Sequence, residues 1–451
     1  VALPQEGATG KGPVVMYRAP GVTPWTSGGD GPIRGAWVSE EVLYVVSGDE
    51  LLRVTSGGGV TVLAEGITGN GRVWMADNNA RQIVVLTQEG RGFVYNTDTT
   101  GFTEILAPNF TATGAIAVTG LDGYLLFAPP DDNTVFTSEL NSALTYMGYF
   151  FSAEGLTDHI VGLITDHREI VIAKSRTMET WYDDGNPAPG DPPVPRAPFS
   201  RSPGGFMEVG CAAGFSLAKI DESVFWLAND RTVRRAQGQQ PLRVSNHGIE
   251  QALALIPDIS DAFAMTYTDH GHFFYVLTFP RADRTFVFDV TTNEWHERAS
   301  YGTGRWRPNF IVNVYGKLIV GDSRSNQLGI LTREEQLDWG DPQTMWWVYP
   351  GVYMEGKRVR YNTFEAYFNA GSGTPTGQGA NPVATLYCSD DGGRNYFPMQ
   401  QKSLGLMGAT AERQIWTRLG SARNRVFKLE ISDPVPVLAH DTYIDVDVTS
   451  S

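Results

Sequence analysis

Short runs of apolar, β-branched and aromatic residues recur along most of this chain, each closed by Gly, Asp or Asn and followed by another run. Val42–Val46 precedes Leu51–Val54, Ile83–Leu86 precedes Gly92–Tyr95, and Tyr124–Phe127 precedes Thr134–Phe136. The pattern continues at Glu169–Ile172 with Glu179–Tyr182, at Ser223–Leu227, at His272–Leu277 with Thr285–Asp289, and at Lys317–Val320 with Leu328–Leu331. Successive side chains on a strand point to opposite faces, so short alternating runs bounded by turn formers predict hairpins. Helical spacing is scarce: Gly248–Ala254 predicts one or two turns, and Arg333–Gln336 another. The chain is predicted to be all-β.

The hairpins return roughly every 40–50 residues, the spacing of one four-stranded propeller blade. Residues 31–345 are therefore predicted to form a six- or seven-bladed β-propeller, with its clearest blade at 262–299, where Phe288-Asp289 leads through a polar turn to Trp295. Segment 183–205 carries seven Pro. It predicts a stiff insertion that joins no ladder and protrudes from the propeller. From residue 346 the strands lengthen: Tyr361–Phe368, Val383–Cys388, Gln414–Leu419, Arg425–Ile431 and Tyr443–Val448. Residues 346–451 are read as a smaller antiparallel β-sandwich or platform domain containing a flexible loop at 370–382. Residues 1–30 are read as an N-terminal arm that packs on it.

Composition narrows the function. The formal net charge is −15, with carboxylates scattered rather than in blocks. Gripping nucleic acid needs clustered Lys and Arg, so that class is disfavoured, whereas a channel that DNA slides through is not. Cys211 and Cys388 are the only cysteines. They are expected to be buried reduced thiols, which suits assembly in a reducing cytoplasm. No run approaches the roughly 20 apolar residues of a membrane span, and Val1-Ala2-Leu3-Pro4-Gln5-Glu6 does not read as a signal peptide.

Catalytic patterns fail on inspection. Gly10-Lys11 lacks the first Gly and the Ser/Thr of a phosphate loop. Gly214-Phe215-Ser216-Leu217-Ala218 and Gly321-Asp322-Ser323-Arg324-Ser325 each miss one Gly of a nucleophile elbow. His270 and His272 are two apart at a predicted turn, and His159 and His167 read as strand-end residues. Asp131-Asp132 and Asp183-Asp184 lack the ligand spacing of a calcium loop. Ser389, Asp391, Gly393 and Tyr396 do fit the Asp-box pattern S-x-D-x-G-x-x-[WY], in which Asp and Gly hold a tight turn above an aromatic. That motif is structural even in glycan-cleaving propellers, and a glycosidase also needs paired carboxylates with separated pKa values. No catalytic, cofactor or metal residues are assigned, and the chain is read as a non-enzyme.

Taken in order, several fragments carry a likeness. They include Tyr17-Arg18-Ala19-Pro20-Gly21-Val22-Thr23-Pro24, Gly71-Arg72-Val73-Trp74-Met75-Ala76-Asp77-Asn78 and Asp166-His167-Arg168-Glu169-Ile170. Glu208-Val209-Gly210-Cys211, Trp416-Thr417-Arg418-Leu419-Gly420 and Glu430-Ile431-Ser432-Asp433-Pro434 follow. From about residue 17 onward the chain resembles the packaged-DNA stabilisation family of short-tailed bacteriophages, the tail hub or nozzle. The resemblance implies a virion structural protein, assembled in the host bacterial cytoplasm as a ring of six subunits below the head-to-tail adaptor and portal. Such a hub retains packaged double-stranded DNA, lets it pass at ejection without binding it specifically, carries the tail needle or fibres, and inserts into no membrane. Six copies at −15 would carry a formal −90, some of it lining the lumen, where it would repel DNA and keep it sliding.

Two other classes remain open: a glycan-binding or glycan-cleaving propeller of a tail fibre, and a general protein-interaction propeller. The contact residues expected for partners are Pro187, Pro192, Pro193, Pro195, Arg196, Phe199 and Arg201, together with the terminal β domain.

Overall fold

The computed structural model describes residues 2–4, 14–146, 150–185, 197–369, 371–409 and 413–448. Two compact units result: 24–299 with 303–330, and 1–23 with 300–302 and 331–451.

The first unit is a ring of seven antiparallel blades. Blade one is Ile33–Ser39, Val42–Ser47, Glu50–Val54 and Val60–Ala64. Blade two is Trp74–Asp77, Gln82–Leu86, Gly92–Asn96 and Phe102–Glu104; blade three is Ala117–Leu121, Tyr124–Ala128, Thr134–Thr137 and Phe150–Ser152. Blade four is Ile160–Asp166, Glu169–Lys174, Met178–Asp183 and Phe199–Met207; blade five is Ala218–Ile220, Ser223–Leu227, Val233–Gln237 and Gln240–Arg243. Blade six, at Phe263–Asp269, His272–Phe279, Arg284–Asp289 and Glu294–Glu297, falls within the predicted 262–299.

Blade seven has Pro308–Val314, Lys317–Asp322 and Gln327–Thr332, and takes a fourth strand from Gly21–Ser27. Gly28 N donates to Asn326 O at 3.2 Å and Asn326 Nδ2 to Gly29 O at 2.9 Å, fixing that strand's exit. Part of the expected N-terminal arm therefore closes the propeller. Phe310 and Ile319 of blade seven pack on Leu43 and Val54 of blade one, completing the circle. Cores between neighbouring blades are built the same way, as with Phe225, Tyr275 and Phe288 between blades five and six. Burying each such side chain stabilises by about 1.5–3 kcal/mol.

Three expectations need correcting. The two ends of the Pro-rich segment do enter a ladder: Asp183 pairs with Phe199 and Trp181 with Arg201, and a bulge opposite Thr180 absorbs Pro203 and its glycines, while 186–196 lie outside the described residues. Proline is tolerated there because a bulge leaves backbone groups unpaired. Arg333–Gln336 forms a turn rather than helix, held by Gln336 Nε2 donating to Arg333 O at 2.7 Å. A helix at Pro108–Thr113 was not predicted; six residues are too few for a readable period. The predicted helix is present at His247–Ala254, capped by Asn246, which accepts from Ile249 N at 3.0 Å.

The second unit is a β-sandwich. One sheet orders Ala2–Pro4, Val14–Tyr17, Leu438–Val448, Val359–Phe368 and Arg413–Thr417, with Ser421–Ala422 also on Val359–Phe368. The other orders Met345–Val348, Asn424–Ile431, Val383–Ser389 and Phe397–Ser403, with Val352–Tyr353 on Asn424–Ile431. Trp416, Phe364, Phe427, Leu386 and Leu429 fill the space between. Met16 pairs with Ala439, and buried Arg18 donates to the carbonyls of Asp433, Val435 and Gln343. Burial lowers its guanidinium to about 10, against the opposing pull of Asp433.

Candidate functional site

The first strand of every blade faces the propeller axis, and each runs into a tight turn at one mouth of it. All seven of these turns place a non-glycine residue in the left-handed region: Glu40 and Glu41, Arg81, Asp122, His167, Asp221 and Glu222, His270, and Tyr315. Two-residue hairpin turns of this hand match the strand twist, at roughly 1 kcal/mol per non-glycine residue. Blades one, three and five thereby bring the turn carboxylates Glu40, Glu41, Asp122, Asp221 and Glu222 to this mouth. Glu40-Glu41 and Asp221-Glu222 stand between apolar runs in the sequence, but nothing there shows that they converge.

Among the described residues, two cavities open beside the axial strands. One, of about 570 Å³, is bounded by Trp37, Lys219, Asp221, Tyr267, Ile311 and Asn313; the other, of about 490 Å³, by Ser39, Glu40, Asp77, Arg81, Asp122 and His167. Their carboxylates already have partners. Ser39 Oγ donates to Asp77 at 2.5 Å, Arg81 bridges Glu40 at 2.8 Å and Asp98 at 2.9 Å, and Arg168 meets Asp122 at 3.0 Å. At the other end of the axial strands Arg72 lies 4.0 Å from the Phe263 ring and 5.4 Å from that of Phe215, which stacks on Trp74 at 4.3 Å. Arg72 also donates to the Asn309 carbonyl, so it draws together the starts of four axial strands. Burial, with Arg305 nearby, lowers its guanidinium to about 9, which leaves it charged at neutral pH.

The histidines do not form a site. His270 is exposed beside Asp269, while His272 is buried with Nδ1 2.8 Å from Asp289. Among the described residues no group of three or more His, Cys, Asp or Glu is placed to hold a metal ion. Ser216 is buried in a short turn, donating to Ala213 O at 2.6 Å and accepting from Leu227 N at 3.1 Å, which is a packing role. Cys211 and Cys388 are buried and free, and burial raises each thiol to about 11.

The Asp box forms as a turn in the sandwich. Asp391 accepts from Ser389 Oγ at 2.6 Å and from the amides of Arg394 and Asn395 at 3.0 Å each, while Gly393 N donates to Ser389 Oγ at 2.9 Å. Those hydrogen bonds, Ser389 first, hold the Asp391 carboxyl far below its ordinary range. Gly393 sits at φ 88°, where a side chain would be strained. Tyr396 lies 5.5 Å from Lys428 Nζ.

Of the expected contact residues, Pro187, Pro192, Pro193, Pro195 and Arg196 lie outside the described residues. Arg201 is exposed. Phe199, in contrast, is 1% exposed and packs against Tyr124 and Phe151, because it occupies an inward position of the ladder that the sequence reading had denied this segment. It is a core residue, not a contact.

Comparison with known proteins follows this division. Residues 2–336 match the family model described as "Bacteriophage P22 Gp10, beta-propeller", and 346–447 the model described as "Bacteriophage P22 Gp10, beta-sandwich". No curated protein matches. Among solved structures, the WD40 β-propeller domain of Doa1 is similar at 12% identity and TM-score 0.44, over 71% of this chain and 97% of that one. Virginiamycin B lyase from Staphylococcus aureus is similar at 10% identity and TM-score 0.46, over 70% and 99%. With both units matched in order, the chain belongs to the bacteriophage P22 Gp10 family of phage structural proteins, a β-propeller followed by a β-sandwich.

Proposed function

We propose that this chain is a subunit of the tail hub, or nozzle, of a short-tailed phage. In this reading a ring of six copies extends the portal channel beneath the head-to-tail adaptor, retains packaged DNA and passes it at ejection. The observation that carries it is the pair of family matches spanning both units in order. Two features support it. The paired, buried ladders of both units make a stiff building block, and a formal −15 suits a part that DNA must pass without sticking. The carboxylates of the axial cavities are engaged by Arg and Ser, which favours a structural over a glycan-cleaving role.

Native mass by light scattering, alone and with the adaptor–portal complex, tests this reading. A mass of six chains, alone or on the adaptor, is expected. A chain that stays monomeric and ignores the adaptor overturns the hub reading.

A further inference from the structure

We propose that Asn70 is a site of spontaneous deamidation, a slow covalent change that loosens the junction between blades one and two. It does not depend on the ring reading above.

Asn70-Gly71 is the one Asn-Gly pair in the chain. It lies in the bend between Val60–Ala64 and Trp74–Asp77, outside any ladder. Asn70 is exposed, and among the described residues neither its side chain nor the Gly71 amide makes a hydrogen bond. Asparagine is chemically labile, most of all where the next amide can reach its side chain, and Gly71 has no Cβ to block that approach. Two guanidiniums stand close by: Arg34 Nε donates to the Gly71 carbonyl at 2.8 Å, and Arg72 follows in the chain. Their positive charge favours loss of the Gly71 amide proton and stabilises the negative charge that then develops.

The chemistry needs only water and hydroxide. Hydroxide removes the Gly71 amide proton, and the nitrogen attacks Asn70 Cγ. The N–Cγ bond forms, the Cγ–Nδ2 bond breaks, and ammonia leaves, taking its third hydrogen from water and returning hydroxide. Water then opens the five-membered imide at either carbonyl. One route gives aspartate; the other gives isoaspartate, in which the main chain runs through Cγ. Nothing is oxidised or reduced.

The consequence follows from Arg34, which is 3% exposed and gathers the carbonyls of Gly48, Ile67, Thr68 and Gly71. Its own carbonyl accepts from Val73 N at 3.4 Å, so it ties together the starts of two axial strands. Isoaspartate adds a methylene to the main chain immediately before Gly71 and carries that carbonyl away from Arg34. A new carboxylate also appears near the Glu89 side chain, which lies against Gly69. Like charges repel, and a buried guanidinium loses an acceptor; both weaken the junction.

The test holds the full chain in warm, mildly alkaline buffer and follows its tryptic peptide Val54–Arg72 by chromatography and mass spectrometry. The same chain unfolded in guanidinium chloride, and the folded variant Asn70→Gln, which cannot close the five-membered ring, are run beside it. The folded wild type is expected to exchange NH for oxygen at Asn70 within about tenfold of the unfolded rate. Two peptides of equal mass should result, one of them accepting methyl groups from an isoaspartate-specific methyltransferase. Aged wild type is expected to melt about 2–4 °C below fresh protein, and aged Asn70→Gln to keep its midpoint. A folded chain that leaves Asn70 intact while the unfolded chain converts overturns the proposal. Conversion with an unchanged melting midpoint overturns the loosening of the Arg34 junction.

Discussion

Lys174 Nζ lies 2.8 Å from Glu179 Oε1 in blade four, and neither side chain is exposed to solvent. The ammonium also donates to the carbonyls of Ala153 and Leu156 at 2.9 and 2.8 Å and faces Asp158 at 3.2 Å. It therefore ties the connection from blade three to the edge of blade four. Removing one partner of such a pair leaves a buried charge uncompensated, which costs about 3–5 kcal/mol. Lys174→Met is expected to destabilise the chain by that amount in urea unfolding, and adding Glu179→Gln to recover much of it. A loss below about 1 kcal/mol would contradict this placement.

Acid sensitivity follows from Asp322 and Asp158. Burial alone would raise Asp322, but hydrogen bonds from Arg307, Ser325 and the Arg324 amide outweigh it and hold the carboxyl below its ordinary value. In Asp158 burial is likewise outweighed, by the Arg176 amide and Lys174. A carboxyl whose folded pKa is depressed contributes stability above its unfolded value, near pH 4, and loses it as pH falls through the folded one. The unfolding midpoint should thus fall on acidification below about pH 4. Asp322→Asn should cost about 1–3 kcal/mol at neutral pH and flatten that acid limb, as followed by thermal melts across pH.

Blade seven depends on a strand nearly 300 residues away in sequence. Deleting residues 1–20 leaves Gly21–Ser27 in place, whereas deleting 1–27 exposes the edge of Gln327–Thr332. Limited proteolysis should cut within 303–330 much faster in the longer deletion, and an equal rate would argue against closure by that strand. An open edge also pairs with other chains, so the longer deletion is expected to aggregate.

A hub that DNA slides through should not hold it. Mobility-shift assays with double-stranded DNA are expected to show no complex even at about 50 mM salt, where phosphate contacts are strong. A complex that weakens steeply as salt rises would reveal a cationic binding surface and count against a repelling channel.

Blade six was legible because Phe274, Val276, Phe286 and Phe288 lie in alternating runs around short turns, and burial on a pleated strand leaves that imprint locally. The Asp-box turn was legible for the same reason: Ser389, Asp391 and Gly393 bond within five residues of one another. Phe199 was misjudged, since composition alone cannot show that a segment seven prolines rich returns to a ladder with Met178–Asp183.

The sequence by itself determined an all-β chain, a blade period and a longer-stranded terminal domain, because all of these reside in nearest-neighbour patterning. Only the tertiary structure decided that there are seven blades, that Gly21–Ser27 closes the last, that Arg72 gathers Phe215 and Phe263 at one end of the axis, and that Trp346, Tyr387 and Tyr396 surround Lys428. The reason is physical: strand pairing and ring contacts join residues tens to hundreds of positions apart, and local alternation carries no information about which strand a distant one will meet.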